Sequence, residues 1–126
     1  MFKINSDKSI YVTRGDIAPI LINAMKDGEP YVFKVGDIVR FKVFKSKDCA
    51  CVELQKDVEV KEEVTTVDVL LDGRDTKIGE IINKPKDYWY EVELNPDTNP
   101  QTIIGYDDID GAKIFRLFPE GSDVNE

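Results

Sequence analysis

The sequence predicts an all-β fold, a sandwich of about seven to nine antiparallel strands with at most one short helical turn. Apolar residues recur with a period of two over most of the chain, and turn-forming Asp-Gly, Gly-Asp and Asn-Pro pairs separate the apolar runs. The length of 126 residues fits a single domain, because domains cluster at roughly 100–150 residues. We expect residues 1–120 to form this domain and residues 121–126 to be a flexible C-terminal tail.

The strongest strand signal covers residues 88–94. Every even position in this run is apolar, while the odd positions carry Trp89 and two glutamates. Such alternation is typical of a strand with one core face and one solvent face. The same period predicts strands at residues 39–43 and 67–71.

Weaker signals complete the set of strands. Residues 17–25 are apolar on both faces, which predicts a central strand, and Pro19 indicates a strand start, a bulge or an edge because proline lacks the N–H that a ladder requires. Residues 75–83 have isoleucines at helical spacing, which predicts one helical turn crossing between two sheets. The remaining short strands are predicted at residues 10–13, 51–54, 58–60, 101–104 and 112–118. This order and spacing predict an immunoglobulin-like sandwich.

The net charge of −8, from 25 acidic and 17 basic residues, argues against a nucleic-acid partner. Binding to a phosphate backbone needs a concentrated basic surface, whereas the densest basic stretch, residues 40–47, alternates with apolar residues as one face of a strand does. The N-terminus has no apolar signal-peptide core, and no apolar run approaches the roughly 18 residues that cross a bilayer. We therefore expect no membrane partner, synthesis in the cytoplasm, and no export by a signal peptide.

The composition also limits the available chemistry. The chain has no histidine, so neither a Ser-His nor a Cys-His pair exists, and its glycines are scattered rather than grouped in a phosphate-binding loop. Cys49 and Cys51 are too close in sequence to bridge each other readily, and alone they are too few for a zinc or iron–sulfur site. We expect no cofactor and no enzymatic activity.

Arg14-Gly15-Asp16 is the triplet that cell-adhesion receptors recognise. Such recognition needs an exposed loop tip, whereas this triplet lies between two predicted strands. We interpret it as a tight turn, because Gly and Asp are turn-forming residues.

Asp108 and Asp110, followed by Gly111, resemble a fragment of a calcium loop. A full loop needs oxygen ligands at alternate positions and a bidentate glutamate further along the chain. This segment offers only part of that set. A solvated turn is the favoured interpretation, and weak calcium binding is the alternative.

The aromatic triplet Tyr88-Trp89-Tyr90 is the candidate interface. The alternation assigns Tyr88 and Tyr90 to the same face as Val92, so a core position is the favoured interpretation for both, with one hydroxyl bound to nearby backbone as in a tyrosine corner. Trp89 points to the opposite face, where an exposed tryptophan is typical of an interface hot spot. Burial of Trp89 against a second sheet is the alternative.

The order of these motifs resembles the small β-sandwich domains of tailed-phage and prophage structural proteins, including the N-terminal domain of the baseplate upper protein family. In that family an Arg-Gly-Asp turn is followed by Gly-x-x-Tyr, Gly-Asp, Val-x-Phe-x-Val and Tyr-x-Tyr-Asp-Ile-x-Leu elements. The similar segments here are residues 14–16, 28–31, 36–37, 39–43 and 88–94, with closing strands at 102–104 and 114–120. The motifs are short, but together they cover nearly the whole chain.

This resemblance implies a virion or tail-associated structural subunit encoded by a phage or prophage of Gram-positive bacteria. Its partners would be other tail or baseplate proteins or further copies of itself, and it would be made in the bacterial cytoplasm before joining the virion. Two alternatives stay open. One is a carbohydrate-binding β-sandwich module with exposed, coplanar aromatic rings. The other is a small hydrolase with a metal ion held by Asp107, Asp108 or Asp110.

Overall fold

The computed structural model describes residues 1–46, 51–105 and 111–120. These residues form eleven β-strands and no helix, which confirms the predicted all-β class. The strands are β1 (Phe2–Ile4), β2 (Ile10–Thr13), β3 (Ala18–Ile22), β4 (Met25–Lys26), β5 (Glu29–Pro30), β6 (Ile38–Phe44), β7 (Val52–Glu59), β8 (Val67–Leu71), β9 (Lys86–Leu94), β10 (Gln101–Ile104) and β11 (Lys113–Phe118). The count exceeds the predicted range because β1, β4 and β5 have only two or three residues each, too few to show a period.

Seven strands form one sheet, called here the main sheet, in the order β1-β2-β11-β9-β6-β7 with β10 paired to the end of β9. Strands β3 and β8 form a two-stranded sheet, called here the covering ribbon, and β4 and β5 form a short hairpin. All pairs are antiparallel except β2 and β11, which run parallel with Ile10 opposite Phe115. This one pair departs from the antiparallel arrangement that the sequence predicts, because the two strands come from opposite ends of the chain and no hairpin fixes their relative direction.

A single core lies between the main sheet and the covering ribbon. Alternate residues of β8 and β9 are buried, as the period of two predicts. Phe41 of β6 is fully buried, with its ring stacked on Tyr90 at a centroid distance of 5.3 Å and edge-on to Phe115 at 6.1 Å. Burying each such side chain contributes about 1.5–3 kcal/mol of transfer free energy, so these rings are a large part of what holds the two layers together.

The predicted central strand at residues 17–25 is instead an edge strand, β3, followed by the short β4. Strand β3 pairs only with β8 in the part of the chain that the structure describes. Pro19 and Leu21 point outward and are exposed, while the residues between them are buried. Proline is tolerated here because an edge strand has one side on which its missing N–H costs no ladder bond.

The two edge pieces predicted at residues 51–54 and 58–60 are one strand, β7, at the edge of the main sheet. It pairs with β6 through a register that shifts between Val43 and Phe44. A shift of this kind is a β-bulge, which bends the strand and increases its twist.

Residues 75–83 form no helix. The helical geometry is limited to one turn, in which the Thr76 amide donates to the Asp72 carbonyl at 3.2 Å. Gly79 then adopts a positive φ of 67°, which takes the chain out of the right-handed helical region. Ile78 is buried and Ile81 is exposed, so the isoleucine spacing does not mark one continuous helix face.

Candidate interaction surface

The outer face of the main sheet carries a lateral row of three apolar side chains, called here the apolar row. Trp89 of β9 lies directly opposite Phe44 of β6 and Ile114 of β11 in the two ladders. Trp89 and Ile114 are partly buried. Phe44 is buried, with only 2% of its surface exposed, although it does not belong to the contiguous core cluster. Side chains that are opposite across strands lie within contact distance, so the three form one apolar strip.

An ion pair borders the apolar row on one side. The guanidinium of Arg116 donates to both carboxylate oxygens of Asp87, from Nε at 2.6 Å and from Nη2 at 3.2 Å. Its Nη1 also donates to the hydroxyl of Tyr11 at 3.1 Å. The hydrogen bond from Arg116 to Asp87 raises the pKa of Arg116, and a fork of this geometry fixes both side chains.

A second group of charges borders the apolar row on the other side. The Lys42 ammonium lies 2.7 Å from Glu93 Oε1 and 3.4 Å from Glu91 Oε1. Burial alone would lower the pKa of Lys42, but its contacts with Glu93 and Glu91 outweigh burial and raise that pKa. The ammonium also lies 5.7 Å from the ring centroid of Phe44, so it packs against the end of the apolar row.

Arg40 extends the charged border toward β7. Its guanidinium binds Asp57 of β7 through Nε at 2.9 Å and Nη2 at 3.0 Å. Nη2 also donates to Asp97, in the turn after β9, at 3.0 Å. These hydrogen bonds raise the pKa of Arg40. Each cation on this half of the face is thus shared by two carboxylates.

Tyr88 and Tyr90, two of the three candidate interface aromatics, lie in the core, the position that the alternation favours, so neither is available as an interface residue. Tyr88 is 1% exposed and Tyr90 is 3% exposed, because their positions on β9 face the covering ribbon. The Tyr90 hydroxyl donates to the Lys8 carbonyl at 2.5 Å, an acceptor 82 residues away, so this bond is not the local one of a tyrosine corner. Of the triplet, Trp89 alone reaches the outer face.

Arg14-Gly15-Asp16 lies in the turn that joins β2 to β3. Gly15 has a φ of 92°, and the Asp16 amide donates to the Thr13 carbonyl at 3.0 Å. Arg14 is 8% exposed, and Nη2 donates to the Gly79 carbonyl at 3.1 Å. The guanidinium therefore ties this turn to the loop after β8 and is not displayed to a receptor.

The weak metal candidates Asp108 and Asp110 lie outside the described residues, together with Asp107. Within residues 1–46, 51–105 and 111–120, no three Cys, Asp or Glu side chains come together in a group that could hold a metal ion. The strands on either side of these aspartates both pair with β9, Ile104 with Val92 and Lys113 with Tyr90.

A second apolar surface lies on the outer face of the covering ribbon, and it was not predicted from the sequence. Ile17 is 61% exposed, Leu21 is 59% exposed and Leu70 is 48% exposed, with Pro19 also exposed between them. In the sequence these residues resemble the second face of a buried strand, because period alone does not show whether another layer covers an apolar face. Only the pairing of β3 and β8 into a two-stranded ribbon reveals that this face is open.

The members of the apolar row other than Trp89 were not predicted either. Phe44 and Ile114 lie 45 and 25 residues away from Trp89 in sequence, as their numbers show, and only the registers of β6 and β11 against β9 bring them together. The available signal was the alternation in residues 40–44, which places Phe44 on the same face as Arg40 and Lys42.

Within its described residues the chain forms no helix of the length and apolarity needed to cross a bilayer. In comparisons with protein-family models, with curated proteins and with solved structures, no match to this chain was found.

Proposed function

We propose that this chain is a non-enzymatic structural subunit of a phage or prophage tail or baseplate, which acts through protein–protein assembly. The observation that carries the proposal is the apolar row: Trp89 lies on the outer face of the main sheet, beside Phe44 and Ile114, and not in the core. Tryptophan is the residue type most enriched at interface hot spots. Its position on a rigid, hydrogen-bonded sheet holds it ready for contact without a further ordering cost.

The surroundings of the apolar row support a protein partner. Interfaces place apolar and aromatic anchors at the centre and polar groups at the rim. Here the rim consists of Arg116 with Asp87 on one side and Lys42 with two glutamates on the other. Arg116 and Asp87 are already paired within the subunit, and Lys42 compensates one of its two glutamates, so a partner that covers the row has only the remaining carboxylate of this rim to neutralise.

The strand pairing supports the immunoglobulin-like part of the proposal. In such domains one sheet contains strands C, F and G, variable-type domains add C′ to it, and the other sheet contains B and E. In this chain the neighbouring strands β11, β9, β6 and β7 of the main sheet correspond to G, F, C and C′. The covering ribbon, β3 with β8, corresponds to B with E. Many cell-surface domains use this architecture, although the fold alone does not define a function.

The resemblance to phage baseplate proteins supports the biological setting. Two of the similar segments lie in turns: the Arg-Gly-Asp segment and Gly36-Asp37. The other two lie in strands, the Val-x-Phe-x-Val segment in β6 and the Tyr-x-Tyr segment in β9. Each therefore has a backbone role that its residue types explain: turns at Gly and Asp, and alternating strands at the aromatic segments.

The carbohydrate-binding alternative needed exposed, coplanar aromatic rings. Tyr88 and Tyr90 are buried, so the triplet supplies one accessible ring and not a stacking platform. A glycan array with the purified chain tests this alternative directly, and a specific glycan signal lost in Trp89→Ala would favour it over the assembly role.

The proposal is tested by the protein inventory of purified phage particles and by the variant Trp89→Ala. We expect the chain to be present in particles, and Trp89→Ala to reduce its incorporation while the melting temperature changes by only a few degrees, roughly 4 °C per kcal/mol. Leu70→Ala, an exposed apolar residue on the covering ribbon, is the matched control and should incorporate normally. Particles that never contain the chain would remove the tail role.

A further inference from the structure

The outer edge of β7 is the longest open strand edge of the main sheet. Strand β7 spans eight residues and, within the described parts of the chain, pairs only with β6. The opposite edge of the sheet, β1, has three residues. An unpaired edge presents a row of backbone N–H and C=O groups that another strand can extend. Within the described residues, the outer backbone groups of β7 therefore have no ladder partner.

The inner side of β7 leaves the core incompletely closed. Leu54 and Val58 point toward the core and pack against it, but both are only partly buried. They face Val43 and Val39 of β6, which are fully buried. An added strand with apolar residues at alternate positions would continue this row and cover the remaining exposed surface of Leu54 and Val58.

The outer side of β7 belongs to an acidic part of the sheet. Arg40 is shared by Asp57 and Asp97, and Lys42 is shared by Glu91 and Glu93. Each of these cations compensates one carboxylate of its two, so one negative charge is left over where Arg40 meets Asp57 of β7 and another on β9, on the far side of β6. Glu53, the extra residue at the bulge near the start of the strand, adds one exposed carboxylate, whereas the exposed Glu59 near the other end is paired with Lys61 at 3.1 Å. This surface is complementary to lysine or arginine side chains on a neighbouring strand.

A second copy of the same chain does not fit this edge. Suppose that two β7 strands paired antiparallel on a two-fold axis. Glu59 of each strand would then face Glu53 or another acidic or neutral position of the other strand. Lys56 would not face it, because Lys56 points to the inner side, where its ammonium binds Asp75 at 2.9 Å. Like charges directly opposite each other destabilise a strand pair, and each copy has a net charge of −8. Self-pairing at β7 is thus opposed by charge.

From these observations we propose that β7 binds a strand of another protein, by β-augmentation, in which basic and apolar residues alternate. The inference deepens the proposed assembly role and rests on it. Strand β6 shows that the pattern fits: on the other edge of β7 it presents Arg40 to Asp57 and apolar residues to Leu54 and Val58. The added strand would gain main-chain hydrogen bonds from the edge and would be selected by the alternating side chains.

The proposal is tested with a synthetic peptide that alternates lysine and valine over the length of β7, titrated into the full chain. We expect binding, with amide protons of residues 52–59 that point away from β6 becoming protected from hydrogen exchange in NMR spectra. The same peptide N-methylated at alternate residues along one edge should not bind, because it cannot complete the ladder. Protection that appears on β8 instead, or equal binding of the N-methylated peptide, would overturn the proposal.

Charge recognition is tested with the double variant Glu53→Lys/Glu59→Lys. In this variant, two weak attractions between a glutamate and a peptide lysine become two weak repulsions between lysines. The affinity for the peptide should therefore fall by about tenfold. The matched control is Glu29→Lys/Asp68→Lys, which makes the same change in net charge at exposed strand positions outside the main sheet. An equal loss in both variants would mean that the peptide responds to overall charge, and it would overturn the site. The outcome of these titrations is independent of the particle inventory, so failure at β7 is distinguishable from failure of the tail role.

Discussion

The hydroxyl of Tyr88 lies against the backbone of Gly79, so closely that a Cβ atom on Gly79 would be 2.8 Å from Tyr88 Oη. Arg14 binds the carbonyl of the same glycine from the turn after β2. Two side chains from different parts of the chain therefore converge on one residue of the loop that follows β8. Because Gly79 also has a φ of 67°, both its conformation and its surroundings require the absence of a side chain.

We predict that Gly79→Ala lowers the free energy of unfolding by about 2–4 kcal/mol, the sum of backbone strain at positive φ and overpacking against Tyr88. Urea denaturation measures this loss. Gly28→Ala is the control, because Gly28 has a φ of 80° and no atom lies within 4 Å of the place that an alanine methyl group would take. It should show the strain alone, about 1 kcal/mol.

Replacing Tyr88 by Phe removes the atom that a methyl group on Gly79 would meet. We predict that Gly79→Ala in the Tyr88→Phe background costs less than in the parent chain, by about 1 kcal/mol or more. A double-mutant cycle from four denaturation curves gives this coupling. Additive effects of the two substitutions would show that the hydroxyl does not limit the space at Gly79.

Arg14 provides a second test of the same loop. The side chain is 8% exposed, and its Nε is buried without a hydrogen-bond partner among the described residues. We predict that Arg14→Ala destabilises the fold by about 1–3 kcal/mol, through the lost bond to Gly79 and the lost packing of the aliphatic stem. Arg14→Met keeps most of that packing without burying a charge, so its loss should be smaller. Equal losses in thermal or urea unfolding would assign the effect to the hydrogen bond alone.

The sequence predicts most of the strands because alternation is a local property. Residues 39–43, 67–71 and 88–94 each show their core face without reference to the rest of the chain, and all three lie in strands. Pairing is not local. The parallel pairing of β2 with β11 and the edge position of β3 depend on which distant segments meet. Neither property can be read from the hydrophobic period of the strands themselves.

The same distinction holds at the candidate surface. The alternation places Trp89 opposite to Tyr88 and Tyr90, and the structure has Trp89 on the outer face and both tyrosines in the core. What surrounds Trp89 follows from cross-strand register, which brings Phe44 and Ile114 to it. Register is set by the whole sheet. The alternation in the sequence therefore identifies Trp89 as an outward-facing residue but does not identify its neighbours in the sheet.

Asp37 is expected to control part of the acid sensitivity of the fold. Burial alone would raise the pKa of Asp37, but hydrogen bonds from the Lys34 amide, Asn95 and the Tyr31 hydroxyl outweigh burial and lower it. Because the folded-state pKa lies below the unfolded value of about 3.9, the carboxylate stabilises the fold above that pH. This contribution is lost as the pH falls through the folded-state pKa.

The variant Asp37→Asn tests this linkage. At pH 7 we expect it to be less stable than the parent chain, and we expect the difference to shrink as the pH falls below about 4. Asp68→Asn, at an exposed position of the covering ribbon, serves as the control in the same urea series. A stability difference for Asp37→Asn that stays constant between pH 7 and pH 3 would contradict the assignment.

Tyr90 is expected to act at the alkaline end of the pH range. Burial raises the pKa of Tyr90, and its hydroxyl donates to the Lys8 carbonyl at 2.5 Å. The unfolded chain releases this proton near pH 10, whereas the folded chain keeps it, so the folded state is favoured below that pH and loses stability as the pH rises above it.

Tyr90→Phe removes the proton and the hydrogen bond together. We predict that it is less stable than the parent chain by about 1 kcal/mol at pH 8, and that the gap narrows and closes between about pH 10 and pH 11. Because the titrating lysines are the same in both chains, they cancel in the difference between the two urea curves. A gap that is the same at pH 8 and pH 11 would mean that the buried hydroxyl ionises equally in the folded and unfolded chains.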